Sequence, residues 1–217
     1  VTRGVASFLI FIACASKLKE AHMKRMLGPV NALYPSLTTI VGAVVEGRPN
    51  FLAIAHVGIM NHGQPQYISV GINKRHYTNA GIREHGEFSV SVPGQELMVE
   101  TDYVGLVSGR NTDKSRLFDV FYGGLAHAPL IKSCPVCMEC RLERVVDFPT
   151  HEVFVGEIMA THAEEDVLRE DGSVDIARVR PLLFDMASTK YWALGEELGV
   201  CWNAGKAIKR NLRGEDD

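Results

Sequence analysis

The stretch with the most chemical content is Ser69-Val70-Gly71-Ile72-Asn73-Lys74-Arg75-His76-Tyr77-Thr78. A strand runs into a basic loop, and a threonine stands at the start of a helix. Backbone N–H groups at a helix start, a Thr hydroxyl and an Arg side chain together suit a phosphate. The plainer alternative is that Thr78 only caps its helix and Arg75 is solvated. A second cluster is Cys134-Pro135-Val136-Cys137-Met138-Glu139-Cys140. Its two successive Cys-x-x-Cys spacings resemble part of a zinc or iron–sulfur site. A closed site needs a fourth ligand from far away, Cys201 or a histidine. Residues 136–140 enter a strand, whose alternation puts Cys134 and Cys140 on one face and Cys137 on the other. Structural cysteines are therefore the preferred reading, and no metal ligand is assigned. Other candidates are weaker. His56 lies in an apolar strand, where a core histidine is the default. His151 sits in a hairpin turn, Lys114 ends a polar loop, and Trp192 and Trp202 belong to the packing of the tail. Gly123-Gly124 reads as a turn. Dinucleotide and P-loop glycine patterns, the Gly-x-Ser-x-Gly elbow and His-Glu-x-x-His are all missing from the required contexts.

The elements that position these residues are short β-rich runs broken by turn residues. Residues 38–45 are apolar and β-branched, 46–50 have turn chemistry, and 51–57 return as a second strand. A break at 63–66 precedes a third strand at 67–72. Such near-continuous apolar runs imply strands buried on both faces, as inside a barrel. The period then changes: 77–85 reads as a helix closed by Gly86. Residues 88–92 form a strand with Phe88, Val90 and Val92 inward. Residues 97–107 are helical, with Leu97, Val104 and Val107 among the candidates for the buried stripe. A polar loop spans 108–114. A long hairpin pairs 136–146 with 152–162. A charged loop at 166–173, a helix or turn into a last strand over 176–184, and one or two short helices over 192–208 complete the chain. Mostly antiparallel strands with a few interposed helices predict a barrel-type β domain.

Composition sets the outer limits. The chain has 217 residues, 46% hydrophobic and 23% charged, enough for one domain with its own core. A net charge of -3 argues against a phosphate-backbone binder, so nucleic acid is set aside. Five cysteines, an odd number, suggest a reducing, cytoplasmic setting rather than a disulfide framework. The only long apolar run, 6–15, is too short for a bilayer, and no membrane partner is expected. Residues 1–22 are read as an over-long start ahead of Met23, or as an export leader, and are left out of the fold. A single domain is expected over 23–210, with a polar tail at 211–217.

In order along the chain, these segments resemble the flavin reductase-like FMN-binding split barrel, especially its flavoredoxin branch. The resemblance runs from Leu33-Tyr34-Pro35 and Gly47-Arg48-Pro49-Asn50 through Ala55-His56, Ser69-Val70 and Arg75-His76-Tyr77-Thr78. It continues through Glu87-Phe88-Ser89-Val90-Ser91-Val92, Ser108-Gly109-Arg110 with Asp113-Lys114, and Ala128-Pro129-Leu130-Ile131. Glu139-Cys140-Arg141, His151 with Phe154-Val155-Gly156-Glu157, and Arg180-Pro181-Leu182-Leu183 complete it.

The resemblance implies an antiparallel split β-barrel, mainly β, with a few peripheral helices. It implies FMN as cofactor, NADH or NADPH as electron donor, and a twofold homodimer. Electrons would pass to a small-molecule flavin or an electron-transfer protein. Asn50 and the backbone of Leu52, Ala53 and Ile54 would read the isoalloxazine edge. Ser69, Gly71, Arg75, Tyr77 and Thr78 would hold the ribityl phosphate. Ser108 and Lys114 would approach the flavin from their loop, and His151 and Phe184 would line the pocket. Many members carry Trp where this chain has His56, which offers a proton donor near the ring, as does His151. A non-enzymatic FMN carrier is the alternative to an NAD(P)H-dependent oxidoreductase. A metal-binding module on Cys134, Cys137 and Cys140 is the third.

Overall fold

The computed structural model describes residues 24–206 and 208. The chain divides into two units, of which the second begins at Tyr34 and carries the fold. Described residues of the first unit contain no regular element.

Strands β1 (Ser36–Leu37), β2 (Thr39–Val45) and β3 (Arg48–Ile54) open the second unit. β4 (Val57–Asn61) and β5 (Tyr67–Asn73) follow, then helix α1 (Thr78–His85) and β6 (Glu87–Val92). A 3-10 turn leads into α2 (Met98–Leu106), after which β7 (Val120–Phe121) and β8 (Leu130–Ile131) make a short ribbon. The long β9 (Val136–Asp147) and β10 (His151–Ala163) come next. α3 (Ile176–Val179), β11 (Leu183–Asp185) and β12 (Lys190–Trp192) follow. β2 to β6, with β9 and β10, form a seven-stranded sheet in the order β3-β2-β6-β9-β10-β5-β4. β1, β11 and β12 form a separate three-stranded sheet.

Sheet order shows how the barrel closes. β3 and β4 are consecutive in the chain yet lie at opposite edges of the sheet. Only Ala55 and His56 separate them, and three Cα steps span at most about 11 Å. The sheet must therefore curl until its edges nearly meet at this corner. The β3 and β4 strands are not hydrogen-bonded neighbours, so the barrel is split there. The continuous strand expected over 51–57 is two strands, because the corner at 55–56 carries the chain from one edge to the other. His56 is consequently exposed at that corner rather than a core residue.

Burial of β2 along its whole length bears out the two-faced reading of its apolar run. Val41 and Ala43 face a core with Leu52, Ile72, Phe88 and Phe154. Ile40 faces a second core with Phe51, Val104, Leu130 and Cys137. Gly86, at φ 65°, closes α1 by donating to Ile82 O at 2.9 Å, as its type and position predicted. Among the described residues, the helices expected in the tail are absent over 193–205. Residues 193–200 carry no regular element and 201–205 only turns. Trp192 is half exposed and Trp202 is 91% exposed, so neither packs the tail down. No helix among the described residues is long and apolar enough to cross a membrane.

Candidate functional site

The corner between β3 and β4 opens into a cavity of about 550 Å³, within the range of small-molecule sites. Ala53, Ile54, His56, Gly71, His151 and Phe184 all line it. Six of the residues singled out from sequence thus meet in one place. Gly71 belongs at the seam: its N–H donates to His56 O at 2.7 Å. A Cβ there would lie 3.3 Å from the Cβ of His56.

Hydrogen-bonding capacity at the β3 edge follows from strand parity. β3 is an edge strand, so alternate residues turn N–H and C=O away from β2. Phe51 is one of these, since its carbonyl accepts from Lys114 Nζ at 2.9 Å. Pro49 shares that parity, and proline is tolerated where the missing N–H would point off the sheet. Two residues beyond Phe51, Ala53 must also turn its N–H and C=O outward, on the stretch that lines the cavity. Leu52 has the opposite parity. Its backbone faces Val41 of β2 and its side chain is buried in the core.

Three of the polar side chains of the wall are the histidines His56, His76 and His151. His56 Nε2 lies 3.0 Å from Tyr34 Oη, and its ring is 5.8 Å from that of His151. Burial, then the charge of His151, pushes the His56 pKa below its ordinary value. His76 also lines the cavity, and burial followed by the charges of Lys114 and His151 pushes it down too. Phe184 packs edge-on to Tyr34 and tilted against Tyr191. Tyr191 on β12 donates to Asp102 on α2 at 3.1 Å, tying the small sheet to the helix across the cavity's rim. Burial and the Asp102 carboxylate push the Tyr191 phenol up to about 12.

A second group lies on the far side of β3. Asn50, 5% exposed, donates through Nδ2 to Thr78 Oγ1 at 2.7 Å. Thr78 therefore does not cap its helix; Tyr77 holds the cap position without a side-chain bond. The Arg110 guanidinium stands 5.3 Å over the Tyr77 ring. Lys114, 4% exposed, donates to Phe51 O and to Val104 O at 2.7 Å, so it clamps β3 to α2. Burial pushes its amine down to about 8. Asn50, Tyr77 and Lys114 line a small cleft with Arg48, Gly109 and Thr112, not the main cavity. Ser69, Arg75 and Ser108 line neither of these spaces. Ser69 donates to Gly58 O, and Arg75 is exposed.

Sequence reasoning missed His76, Asn73, Asp102, Gly105 and Tyr191 as cavity residues. His76 stood inside the quoted motif beside Arg75, but only the turn after β5 decides which of the two faces inward. Asp102 and Tyr191 carry no local signal, since 89 positions separate them.

The cysteine run differs from its expected arrangement. Cys137 lies in the cluster with Cys134, whereas Cys140 is in the opposite core with Phe88 and Phe154. Strand alternation begins only at Val136. Cys134 belongs to the preceding turn, where its N–H donates to Ile131 O. Among the described residues no group of three or more His, Cys, Asp or Glu is placed to hold a metal ion.

A curled antiparallel barrel, split at a corner that opens into a cavity, is the architecture of flavin reductase-like split barrels. The sequence profile of the flavin reductase like domain matches residues 31–192, and the chain belongs to that family. It is similar to the flavoredoxin of Methanosarcina acetivorans, with 42% identity, a TM-score of 0.83, and coverage of 86% of this chain and 99% of that one. An FMN-binding protein of Thermus thermophilus, solved with bound 1-cyclohex-2-enone, is 26% identical at a TM-score of 0.70, covering 82% of this chain and 98% of that one. A ferric-chelate reductase (NAD(P)H) of Archaeoglobus fulgidus is 28% identical over 116 residues, 52% of this chain and 68% of that protein.

Proposed function

We propose that this chain binds FMN in the corner cavity and works as an oxidoreductase that takes electrons from NADH or NADPH. What carries the reading is that Ala53 lines the cavity on an edge strand whose parity turns its N–H and C=O outward. An isoalloxazine presents O2 and O4 acceptors flanking an N3–H donor, so an alternating backbone edge fits it in chemistry. Ala53, Gly71 and Gly105 add little side-chain bulk to the lining, which suits close approach of a planar ring. The similarity to an FMN-binding protein and to an NAD(P)H-dependent reductase supports the same reading.

When bound, FMN supplies the hydride and single-electron chemistry. The chain supplies the rest. Ala53 and Ile54 orient the ring edge, and Asn50, from behind β3, holds Thr78 at a helix start that takes up the ribityl phosphate. Ser69, Arg75 and Ser108 belong at most to the rim of that region. Lys114 holds β3 against α2 and places a positive charge behind the ring, which favours an anionic reduced form. His56, bonded to Tyr34, and His151 can hold or release a proton at the open face. Phe184 shields the ring from water. The apolar face of α2, with Val99 70% and Leu106 75% exposed, supports a homodimer whose second subunit covers the cavity mouth, since Leu106 also lines the cavity.

The test is direct. Purified protein should be yellow or take up added FMN, and the released flavin should be identified as FMN. Stopped-flow addition of NADH or NADPH should bleach the flavin band; binding without bleaching would make the protein a carrier reduced by a partner. Colourless protein that refuses micromolar FMN would refute the whole reading.

A further inference from the structure

The Cys134–Cys137 pair lies outside the cavity, and the proposed flavin chemistry makes no use of it. Both thiols are nearly inaccessible, at 4% and 2% exposure. They share one apolar cluster with Ile131 and Phe118. Cys134 sits in a turn whose N–H bonds Ile131 O at 3.2 Å. Cys137, at the start of β9, points back over that turn: its Sγ donates to Ile131 O at 3.3 Å and lies 3.7 Å from Cys134 O. Only two residues separate them across this turn, so each thiol bears on the proton affinity of the other.

The neighbours of Cys137 are unusual for a buried structural thiol. Its register partners are Ser91 on β6 and His162 on β10, which puts all three side chains on one face of the sheet. Ser91 Oγ is buried and has no hydrogen-bond partner. His162 Nε2 bonds Glu139 Oε1 at 2.6 Å, and Glu139, two residues beyond Cys137, is held by Leu125 N–H at 2.7 Å. The neighbouring Cys134 side chain, opposed by burial and assisted by the charge of His162, pulls the Cys137 thiol below its ordinary value. The Cys134 thiol is pushed up by the Cys137 side chain and by burial. One sulfur is thus prepared to attack and its neighbour stays protonated.

We propose that Cys134 and Cys137 are an oxidation site, at which hydrogen peroxide converts the dithiol to an intramolecular disulfide. Cys137 sulfur attacks one peroxide oxygen, the O–O bond breaks, and hydroxide leaves to take up a proton as water. Cys134 sulfur then displaces the hydroxyl of the resulting sulfenic acid, forming the S–S bond and a second water. Two electrons pass from the thiols to peroxide. Closure leaves no orphan acceptor at the turn, because Ile131 O keeps its bond from Cys134 N–H. Burial selects the oxidant: peroxide is small and uncharged, whereas a protein thiol cannot reach the pair.

The full-length protein is treated with hydrogen peroxide, denatured, alkylated and digested with trypsin, which releases residues 133–141 as one peptide bearing Cys134, Cys137 and Cys140. The expected peptide keeps its label at Cys140 alone, with a link between Cys134 and Cys137 that a reductant removes. A link to Cys140 or Cys201, or full labelling of all three positions, overturns the proposal. In Cys134→Ser, Cys137 should accumulate as a sulfenic acid trapped by dimedone, and Cys140→Ser should close the link as the wild type does. Failure of Cys140→Ser to close it would also overturn the assignment.

Discussion

Replacing Lys114 by Met gives the sharpest test of how β3 is held. The amine is almost fully buried and donates to two carbonyls, one on β3 and one on α2. Burial lowers its pKa from 10.5 to about 8, a differential of about 3 kcal/mol against the charged form. Between those two values the unfolded chain binds more protons than the folded one, so stability rises with pH. Below about pH 8 both states are protonated and the full penalty is present. From about pH 7.5 to about pH 9.5 the wild type should gain about 2 kcal/mol from this residue alone. Urea unfolding followed by circular dichroism at both pH values, in wild type and Lys114→Met, isolates that gain, because other titrating groups cancel in the difference. At neutral pH the variant loses donors for Phe51 O and Val104 O, at about 1–3 kcal/mol each. It also sheds the buried charge, worth about 3 kcal/mol, so the pH slope discriminates better than the absolute stability. Identical slopes in the two proteins would refute the buried-amine argument.

Three further outcomes are expected. Ala53→Pro should keep the β2–β3 ladder, because the lost N–H points off the sheet, yet weaken FMN at least tenfold, about 1.4 kcal/mol, in a fluorescence titration; unchanged affinity would remove Ala53 from the site. Gly42→Ala puts a Cβ 2.5 Å from Ser89 Oγ and 2.7 Å from Pro129 O, and should cost about 1–3 kcal/mol in urea unfolding. By NMR titration His56 and His76 should lose their protons below the ordinary 6.5. Acidification through that window protonates the unfolded chain first and so lowers stability. A smaller pH effect on unfolding is expected in His56→Gln, and a His56 midpoint above 6.5 would contradict its partial desolvation against the cavity and the charge of His151.

Local signals were enough for much of this protein. The β-branched runs of β2 and β5, the glycine that ends α1 and the long β9–β10 hairpin are legible because each depends on neighbours a few residues away. A set of small motifs in a fixed order was likewise enough to point to the flavin reductase-like family. Tertiary structure decided what no local period can carry. Residues 51–57 read as one strand, because the break at Ala55-His56 has no proline or glycine to announce it; it exists only because β3 and β4 must reach opposite edges of one curled sheet. The same closure turned His56 from a presumed core residue into a cavity wall and brought His76, Asp102 and Tyr191 together from distant segments. It also sent the amine of Lys114 into the protein, where two backbone carbonyls replace the water a loop lysine would ordinarily keep. Cys134 changed partner for a related reason: strand alternation stops where the ladder stops, and that boundary is set by pairing with β6 and β10, not by the cysteines' own spacing.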